Sequence, residues 1–130
     1  EAVVEAHAYL GNYTILGSAR IRSGTILASR VSVPSGKHVH QRRADGTWGP
    51  MDRDRMETVE IGPDAWVGEG AVILASVASG SMVAAGSVVT EPVPQNVLVA
   101  GNPARIIKEF YSSSFPESDE STNNHSTSNE

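Results

Sequence analysis

Two histidines lie close together in a segment that holds half of the chain's basic residues. His38 and His40 fall between residue 36 and about residue 58, with five of the ten Lys and Arg residues and one of the two tryptophans. Imidazole suits general base catalysis near pH 7, because its unperturbed pKa of about 6.5 leaves a neutral ring. The chain has no cysteine, which excludes a Cys nucleophile, a thiolate zinc site and a disulfide framework.

Metal binding is the competing chemistry for these two histidines. They are two residues apart and could hold a metal from one strand, but no third ligand is evident. His7 lies far back in the chain, and His125 lies close to its end. We therefore expect no metal site. The sequence also lacks a glycine-rich phosphate-binding loop.

The residues on both sides of this segment repeat with a period of six. From Ile61 the units read IGPDAW, VGEGAV and ILASVA, each opening with an aliphatic residue and carrying a small residue or Val four places later. The phase slips by two residues at Val77, and the amino-terminal units slip by one at Ile21. A period of six fits neither an α-helix nor a long strand. It predicts very short strands joined by turns, with glycines such as Gly62 and Gly68 at the sharp corners.

Two segments interrupt the repeat. The first is the histidine-bearing stretch, and a loop this long inside a compact repeat is uncommon unless it is functional. The second is Glu91-Pro92-Val93-Pro94, where the prolines stop strand pairing. After it, Asn102 followed by Pro103 predicts a helix start, and we expect a short helix over about residues 104–111.

Charge and hydropathy exclude several classes of protein. The net charge is −5, but four acidic residues and no Lys or Arg lie in the last nineteen positions, so the remainder is close to neutral. Without a basic stripe, nucleic acid is not an expected partner. Residues 112–130 are rich in Ser, Asn and Glu, and we expect this acidic tail to be disordered. No apolar run approaches the roughly 20 residues that span a bilayer. No signal-like segment opens the chain either, and we expect a cytoplasmic protein with no integral membrane segment.

The repeats carry a family resemblance. Through the Ile-Gly-Pro-Asp-Ala-Trp-Val-Gly motif from Ile61, the Ala-Gly-Ser-Val-Val-Thr motif from Ala85 and the closing Gly-Asn-Pro-Ala-Arg, residues 4–111 resemble the hexapeptide-repeat acyltransferases. The likeness is closest to bacterial sugar O-acetyltransferases of the galactoside, maltose and exopolysaccharide type. It implies an all-β domain over residues 1–111: a left-handed parallel β-helix forming a short triangular prism, with one extruded loop. Because a prism of three to four coils is thin, we expect an oligomer, and the resemblance implies a homotrimer.

The resemblance also implies a reaction and its catalytic residues. An acyl group would pass directly from acetyl-CoA to a hydroxyl of a saccharide in a ternary complex, with a loop histidine as general base. Relatives that place a histidine four residues after the Gly of Ser-Gly favour His40, counting from Ser35 and Gly36, whereas many others carry the histidine close behind a Gly and leave His38 as the alternative. Glu57 is expected to orient the imidazole, as carboxylates do in catalytic triads.

The resemblance further implies a coenzyme A site. Trp66 would lie along the cleft beside the catalytic histidine and the pantetheine arm, and small residues would let the backbone approach pantetheine. Two basic residues on the predicted helix would meet the phosphates of coenzyme A. The implied coenzyme A contacts are Trp66, Gly68, Ala85, Gly86, Arg105 and Lys108.

The remaining loop charges and two other functions stay open. The loop arginines alternate with acidic residues, so internal pairing would explain much of them, although they could also attract an anionic acceptor. These residues are Arg42, Arg43, Arg53 and Arg55, with Asp45, Asp52 and Asp54. The alternatives to an acetyltransferase are a non-catalytic β-helix assembly module and, less favoured, a metal-dependent enzyme similar to gamma-type carbonic anhydrases.

Overall fold

The chain coils around a triangular prism whose three faces are β-sheets. The computed structural model describes residues 1–110, and most of the strands there are two or three residues long. The first face holds β1 (Ala2–Val4), β4 (Ala19–Ile21) and β7 (Val59–Ile61). The second holds β2 (Tyr9–Leu10), β5 (Ile26–Leu27), β8 (Trp66–Val67), β10 (Met82–Val83), β12 (Val97–Gly101) and β13 (Ala104–Glu109). The third holds β3 (Ile15–Leu16), β6 (Ser32–Val33), β9 (Val72–Ile73) and β11 (Val88–Val89).

The strand registers explain the phase slips in the sequence. Three full hexads would make a coil of eighteen residues. In the amino-terminal part Tyr9 pairs with Ile26, so that each coil takes seventeen. In the carboxyl-terminal part Trp66 pairs with Met82, so that each coil takes sixteen. The repeat therefore loses one residue per turn in the first part and two in the second, as the pattern predicts.

The inward aliphatic residues stack into a continuous core. On the second face Leu27, Val67 and Val83 lie in register in successive coils and are completely buried. Ile21 and Ile61 are stacked and buried in the same way on the first face. Burial of each such side chain stabilises the fold by about 1.5–3 kcal/mol. The stacking fixes the alternation of every strand, so the residues beside these aliphatics must point outward.

Close approach between coils, more than turning, accounts for three of the four glycines that follow inward aliphatic residues. A Cβ atom built on Gly68 would lie 2.5 Å from the backbone nitrogen of Ala85 in the next coil. Among the corner glycines Gly11, Gly17, Gly62 and Gly68, only Gly62 has a positive φ, at 98°. The expectation that these glycines serve sharp turns therefore holds for Gly62 alone.

The extruded loop leaves the prism between the third and first faces. Ile26 pairs with Trp66, forty residues later, so the loop adds 23 residues to a coil of seventeen. A single 3₁₀ turn, Arg53–Arg55, stands near its end, and the Asp52 side chain caps this turn by accepting from the backbone N–H of Asp54 at 2.9 Å. We call the edge between β6 and β7 the loop edge.

The prediction of a short helix over residues 104–111 is wrong. Residues 104–109 form β13, which pairs antiparallel with β12, and Asn102 and Pro103 make the two-residue turn between them. Asn-Pro is a turn signal as well as a helix-start signal. The last coil leaves a row of unpaired backbone groups on β12, and β13 satisfies them. The end of the predicted helix and the acidic tail, residues 112–130, lie outside the described residues.

Candidate functional site

The loop folds back on itself as a small antiparallel hairpin that presents His40. The backbone of Arg43 donates to Thr47 at 2.7 Å, and the backbone of Gly49 donates to Gln41 at 2.8 Å. This pairing brings the carbonyl of Gly49 to 2.9 Å from Nδ1 of His40. The imidazole is thus held by a residue nine positions away, on the opposite arm of the hairpin.

The Gly49 contact determines which ring nitrogen of His40 can act as a base. A carbonyl oxygen only accepts hydrogen bonds, so Nδ1 must carry the proton in the neutral ring. Nε2 then keeps its lone pair and remains able to take a proton from a bound hydroxyl. The arrangement of His40 therefore leaves Nε2 free to accept a proton.

His38 is positioned only through its backbone. Its carbonyl accepts a hydrogen bond from Nε of Arg55 at 2.8 Å, and its exposed ring makes no hydrogen bond within residues 1–110. Of the two loop histidines, His40 is the one whose ring is held in a defined orientation. This difference supports the choice of His40 over His38.

Glu57 does not occupy the place expected of it. Its backbone N–H donates to Ser35 at 3.0 Å, and its side chain packs over Gly36, where a Cβ atom would come within 3.0 Å of Oε1. The structure gives the orienting contact on His40 to the Gly49 carbonyl instead. The sequence could not reveal this, because a backbone carbonyl is available at every residue.

The two interruptions of the repeat meet at the base of the loop. Nζ of Lys37 lies 2.9 Å from Oε2 of Glu91 and also donates to the carbonyl of Thr90. The hydrogen bond from Lys37 is the main reason why the pKa of Glu91 falls below its ordinary value. Arg105 and His38 lie near enough to lower this pKa further through their charges. Glu91 thereby ties the loop to the last coils.

Trp48 is a loop residue to which the sequence assigns no role. It lines a hollow of about 430 Å³ together with Lys37, Val39, His40 and Gly49. Its side chain is 63% exposed, which is unusual for an indole. The sequence carries no signal for this tryptophan, because neither a repeat nor a motif surrounds it. Its exposure beside His40 is what marks it as a candidate binding residue.

A second group of predicted residues lies on the outward side of the second face. Trp66 is 50% exposed and pairs in register with Ile26 below and Met82 above. Tyr9 and Leu98 extend this row at its two ends. An exposed apolar row of this length is typical of an interaction surface.

Arg105 and Lys108 join the same surface through a β-bulge. Strand residues three apart normally point to opposite sides. Here the register shifts between Leu98 and Val99, so that Lys108 lies opposite Leu98 and Arg105 lies opposite Ala100. Because Leu98 and Ala100 share one side of β12, the two basic residues also face the same way. Arg105 and Lys108 are expected from the sequence to face the same way on a helix; they do so on a strand instead, because of the β-bulge.

The small residues of the predicted coenzyme A site lie on the edge between the second and third faces. Gly68 is buried there, and its close approach to Ala85 already explains why it is glycine. Gly86 has a φ of 72°, and a Cβ atom built on it would meet nothing within 4 Å. Ala85 and Gly86 therefore leave an exposed, unobstructed stretch of backbone beside the Trp66 surface.

The predicted site residues thus form two groups on different parts of the prism. His38, His40 and Glu57 lie on the loop edge, whereas the six coenzyme A residues lie on the second face and the edge that follows it. Within residues 1–110, no three His, Asp or Glu side chains come together as metal ligands. No helix in that part of the chain is long and apolar enough to cross a membrane.

Comparisons with known proteins find acyltransferases. No family model matches the chain. It is 33% identical over 100 residues to WbbJ of Escherichia coli, an inferred O-acetyl transferase of lipopolysaccharide biosynthesis, with 72% of this chain and 51% of WbbJ covered. It is 39% identical over 77 residues to a 2,3,4,5-tetrahydropyridine-2,6-dicarboxylate N-acetyltransferase of Staphylococcus aureus, with 58% of this chain and 32% of the relative covered. The chain therefore spans about half, or less, of the length of these relatives.

A solved structure supports the fold. The N-acyltransferase AntD of Bacillus cereus, in a complex with dTDP-4-amino-4,6-dideoxyglucose and coenzyme A, superposes with a TM-score of 0.70. The superposition covers 98% of this chain and 72% of AntD at 19% identity. Together with the parallel pairing between successive coils on all three faces, it identifies the left-handed β-helix expected from the sequence.

Proposed function

Because this chain belongs to the hexapeptide-repeat acyltransferase family, we propose that it is an acetyl-CoA-dependent O-acetyltransferase that acts on a hydroxyl of a saccharide. The observation that carries the proposal is the hydrogen bond between Nδ1 of His40 and the carbonyl of Gly49. It leaves Nε2 as the base that acyl transfer to a hydroxyl requires. The sugar-directed chemistry is supported by WbbJ, whose name assigns it to lipopolysaccharide biosynthesis, and by AntD, which was solved with dTDP-4-amino-4,6-dideoxyglucose.

The proposed reaction is a direct transfer. The acceptor oxygen attacks the thioester carbonyl carbon while its proton moves to Nε2 of His40. The new C–O bond forms, the C–S bond of the tetrahedral intermediate then breaks, and the imidazolium returns the proton to the departing sulfur. The products are an acetylated saccharide and the free thiol of coenzyme A. The Gly49 carbonyl stabilises the imidazolium, since Nδ1–H is its donor in both states.

The second face supplies a suitable surface for the acyl donor. Trp66 presents an exposed indole, and Arg105 and Lys108 place two cations at the end of the same row. Ala85 and Gly86 leave room for an extended pantetheine arm beside them. The three features together fit an adenosine phosphate group joined to a narrow, flexible thioester arm. The proposed donor is a metabolite of the cytoplasm, the compartment expected from the sequence.

We further propose a homotrimer in which each site lies between two copies. The loop edge and the second face are separate parts of one prism, so His40 of one copy would meet the Trp66 surface of its neighbour. The outward sides of the first two faces also differ. The first carries an ion-pair ladder in which Arg22 contacts Glu5 at 3.0 Å and Glu60 at 3.3 Å, whereas the second presents the exposed apolar row that contains Trp66, a better surface for packing against a neighbour. Light scattering at micromolar concentration should give three times the chain mass; a stable monomer would contradict the shared site.

The decisive experiment combines coenzyme A binding with an assay of its release. Calorimetric titration should show coenzyme A binding, and acetyl-CoA should release the thiol in the presence of a saccharide acceptor. A panel of neutral, amino and acidic sugars would separate hydroxyl from amine acceptors. A protein that binds no coenzyme A and releases none with any acceptor would favour the non-catalytic assembly module.

A further inference from the structure

The carboxylates of the loop do not neutralise its arginines. Asp45 accepts from the backbone N–H and the hydroxyl of Thr47, at 3.0 and 2.6 Å, and these bonds lower the pKa of Asp45. Asp52 caps the 3₁₀ turn. Within residues 1–110, no loop arginine lies within ion-pair distance of a carboxylate. The internal pairing expected from the alternating charges is therefore not what the structure shows.

Two of the four loop arginines serve the loop itself. Arg43 donates to the hydroxyl of Thr47 at 3.3 Å and to the carbonyl of Trp48 at 3.1 Å. Arg55 donates to the carbonyl of His38. The guanidinium groups of Arg42 and Arg53 make neither a hydrogen bond nor an ion pair with any residue of the described part of the chain. Their charges are left for a ligand.

Arg42 and Arg53 line one hollow, of about 600 Å³, next to the one that holds His40. The two hollows share Gly49, the residue whose carbonyl orients the catalytic ring. Asp52 also lies on the wall, but its carboxylate is engaged by the backbone of the 3₁₀ turn. An anion bound between the two arginines would thus lie in the hollow adjoining the one that His40 lines.

We propose that the acceptor is an anionic saccharide whose phosphate or carboxylate group binds between Arg42 and Arg53 while its hydroxyl meets His40. Guanidinium groups recognise both anions through paired hydrogen bonds, and a hollow of this size accommodates a charged sugar. Trp48 offers the flat apolar surface on which the pyranose ring packs. The assignment names the substrate class of the acetyltransferase proposed above and rests on that function.

The kinetic test compares charged and neutral probes of one sugar. Glucose 1-phosphate, methyl glucuronide and methyl glucoside are each assayed by release of coenzyme A. We expect a kcat/KM at least about tenfold higher for one of the two anionic probes, carried by KM and weakened by added salt. The anionic probe that is preferred identifies the group as phosphate or carboxylate.

The variants test whether Arg42 and Arg53 cause that preference. Arg42→Gln/Arg53→Gln should raise KM for the anionic probe about tenfold and leave methyl glucoside unchanged. Arg42→Lys/Arg53→Lys should keep part of the preference, because the charge remains and the paired geometry is lost. The matched control is Arg20→Gln, which removes the same charge from the outward side of the first face.

Direct binding separates the failure of this inference from the failure of the proposed function. Calorimetry with inorganic pyrophosphate requires no turnover and no correct sugar; the wild type should bind it, and Arg42→Gln/Arg53→Gln should bind it about tenfold more weakly. Equal rates with charged and neutral probes, together with unaltered pyrophosphate binding in the variant, would overturn the anion site while leaving an acetyltransferase. Weakened coenzyme A binding in the variant would assign the arginines to the donor and also overturn it. If coenzyme A neither binds nor is released, the pyrophosphate titration alone decides the anion site.

Discussion

The coil and the extruded loop obtain their structure from different kinds of contact. In the coil, residues sixteen or seventeen apart pair in register. Packing in the core explains why aliphatic residues such as Leu27 and Val67 occupy the inward positions. In the loop, the contacts are polar and local, as between His40 and Gly49, and two arginines have no partner in the described residues. A segment whose side chains are not explained by packing is the segment in which to look for a ligand. The coil supplies stability, and the loop is where we propose that the chemistry takes place.

Replacing His40 with alanine should have the largest effect of the variants considered, and it should act on catalysis and not on donor binding. We expect kcat to fall by roughly 10²–10⁴-fold, because only the transition state uses the proton transfer to Nε2. Coenzyme A affinity, measured by calorimetry, should change by less than about twofold, since the donor surface lies on the second face.

The matched control is His38→Ala, which should cost only a few fold. If His38→Ala shows the large loss and His40→Ala the small one, the base is His38, and the match of the loop to the relatives' histidine is wrong by two residues. If neither loses more than a few fold, no loop histidine is the base.

Truncating one buried and one exposed aliphatic side chain sharpens the contrast in stability. Leu27 is completely buried, so Leu27→Ala should lower the free energy of unfolding by about 2–5 kcal/mol. Met51 on the loop is 52% exposed, so Met51→Ala should change it by less than about 0.5 kcal/mol. Both are measured by urea unfolding at one fixed protein concentration, because an oligomer makes stability concentration-dependent. Equal losses would show that the loop is part of the cooperative core.

Removing the two cations of β13 tests the donor surface of the coil. Arg105→Ala/Lys108→Ala should raise the Kd for coenzyme A about tenfold, since each charged contact to a phosphate contributes modestly at an exposed position. Acetylpantetheine, which lacks the adenosine phosphates, should give the same KM with the variant and the wild type. A loss that is equal for both donors would mean that the substitutions distort the β12–β13 pair.

The sequence predicts the coil better than the site, and the reason is physical. An aliphatic residue every six positions predicts short strands joined by turns, and the phase slips match the lengths of the coils, whereas the triangular section follows from the family resemblance. The Asn102–Pro103 signal is ambiguous, and only the open edge of β12 decides for a strand over a helix. The hydrogen-bond partner of His40 is a main-chain carbonyl. Arg42 has no ion pair with Asp45, whose carboxylate instead accepts a hydrogen bond from the hydroxyl of Thr47. Neither is encoded by residue type.

Acid should loosen the junction of loop and coil. The hydrogen bond from Lys37 holds the pKa of Glu91 below its ordinary value, so the contact stabilises the folded state above the ordinary carboxyl pKa. That stability is lost as the pH falls through the lowered pKa. Because Glu91 is largely exposed, solvent screens the pair, and the unfolding midpoint should shift only slightly. Glu91→Gln should lower the midpoint slightly at pH 7, and this deficit should shrink as the pH falls through the lowered pKa of Glu91, whereas Glu109→Gln, with no ion pair among residues 1–110, should change the midpoint little at any pH. A deficit of Glu91→Gln that stays the same throughout an acid series of unfolding curves would mean that the carboxylate charge is not what ties the loop to the last coils.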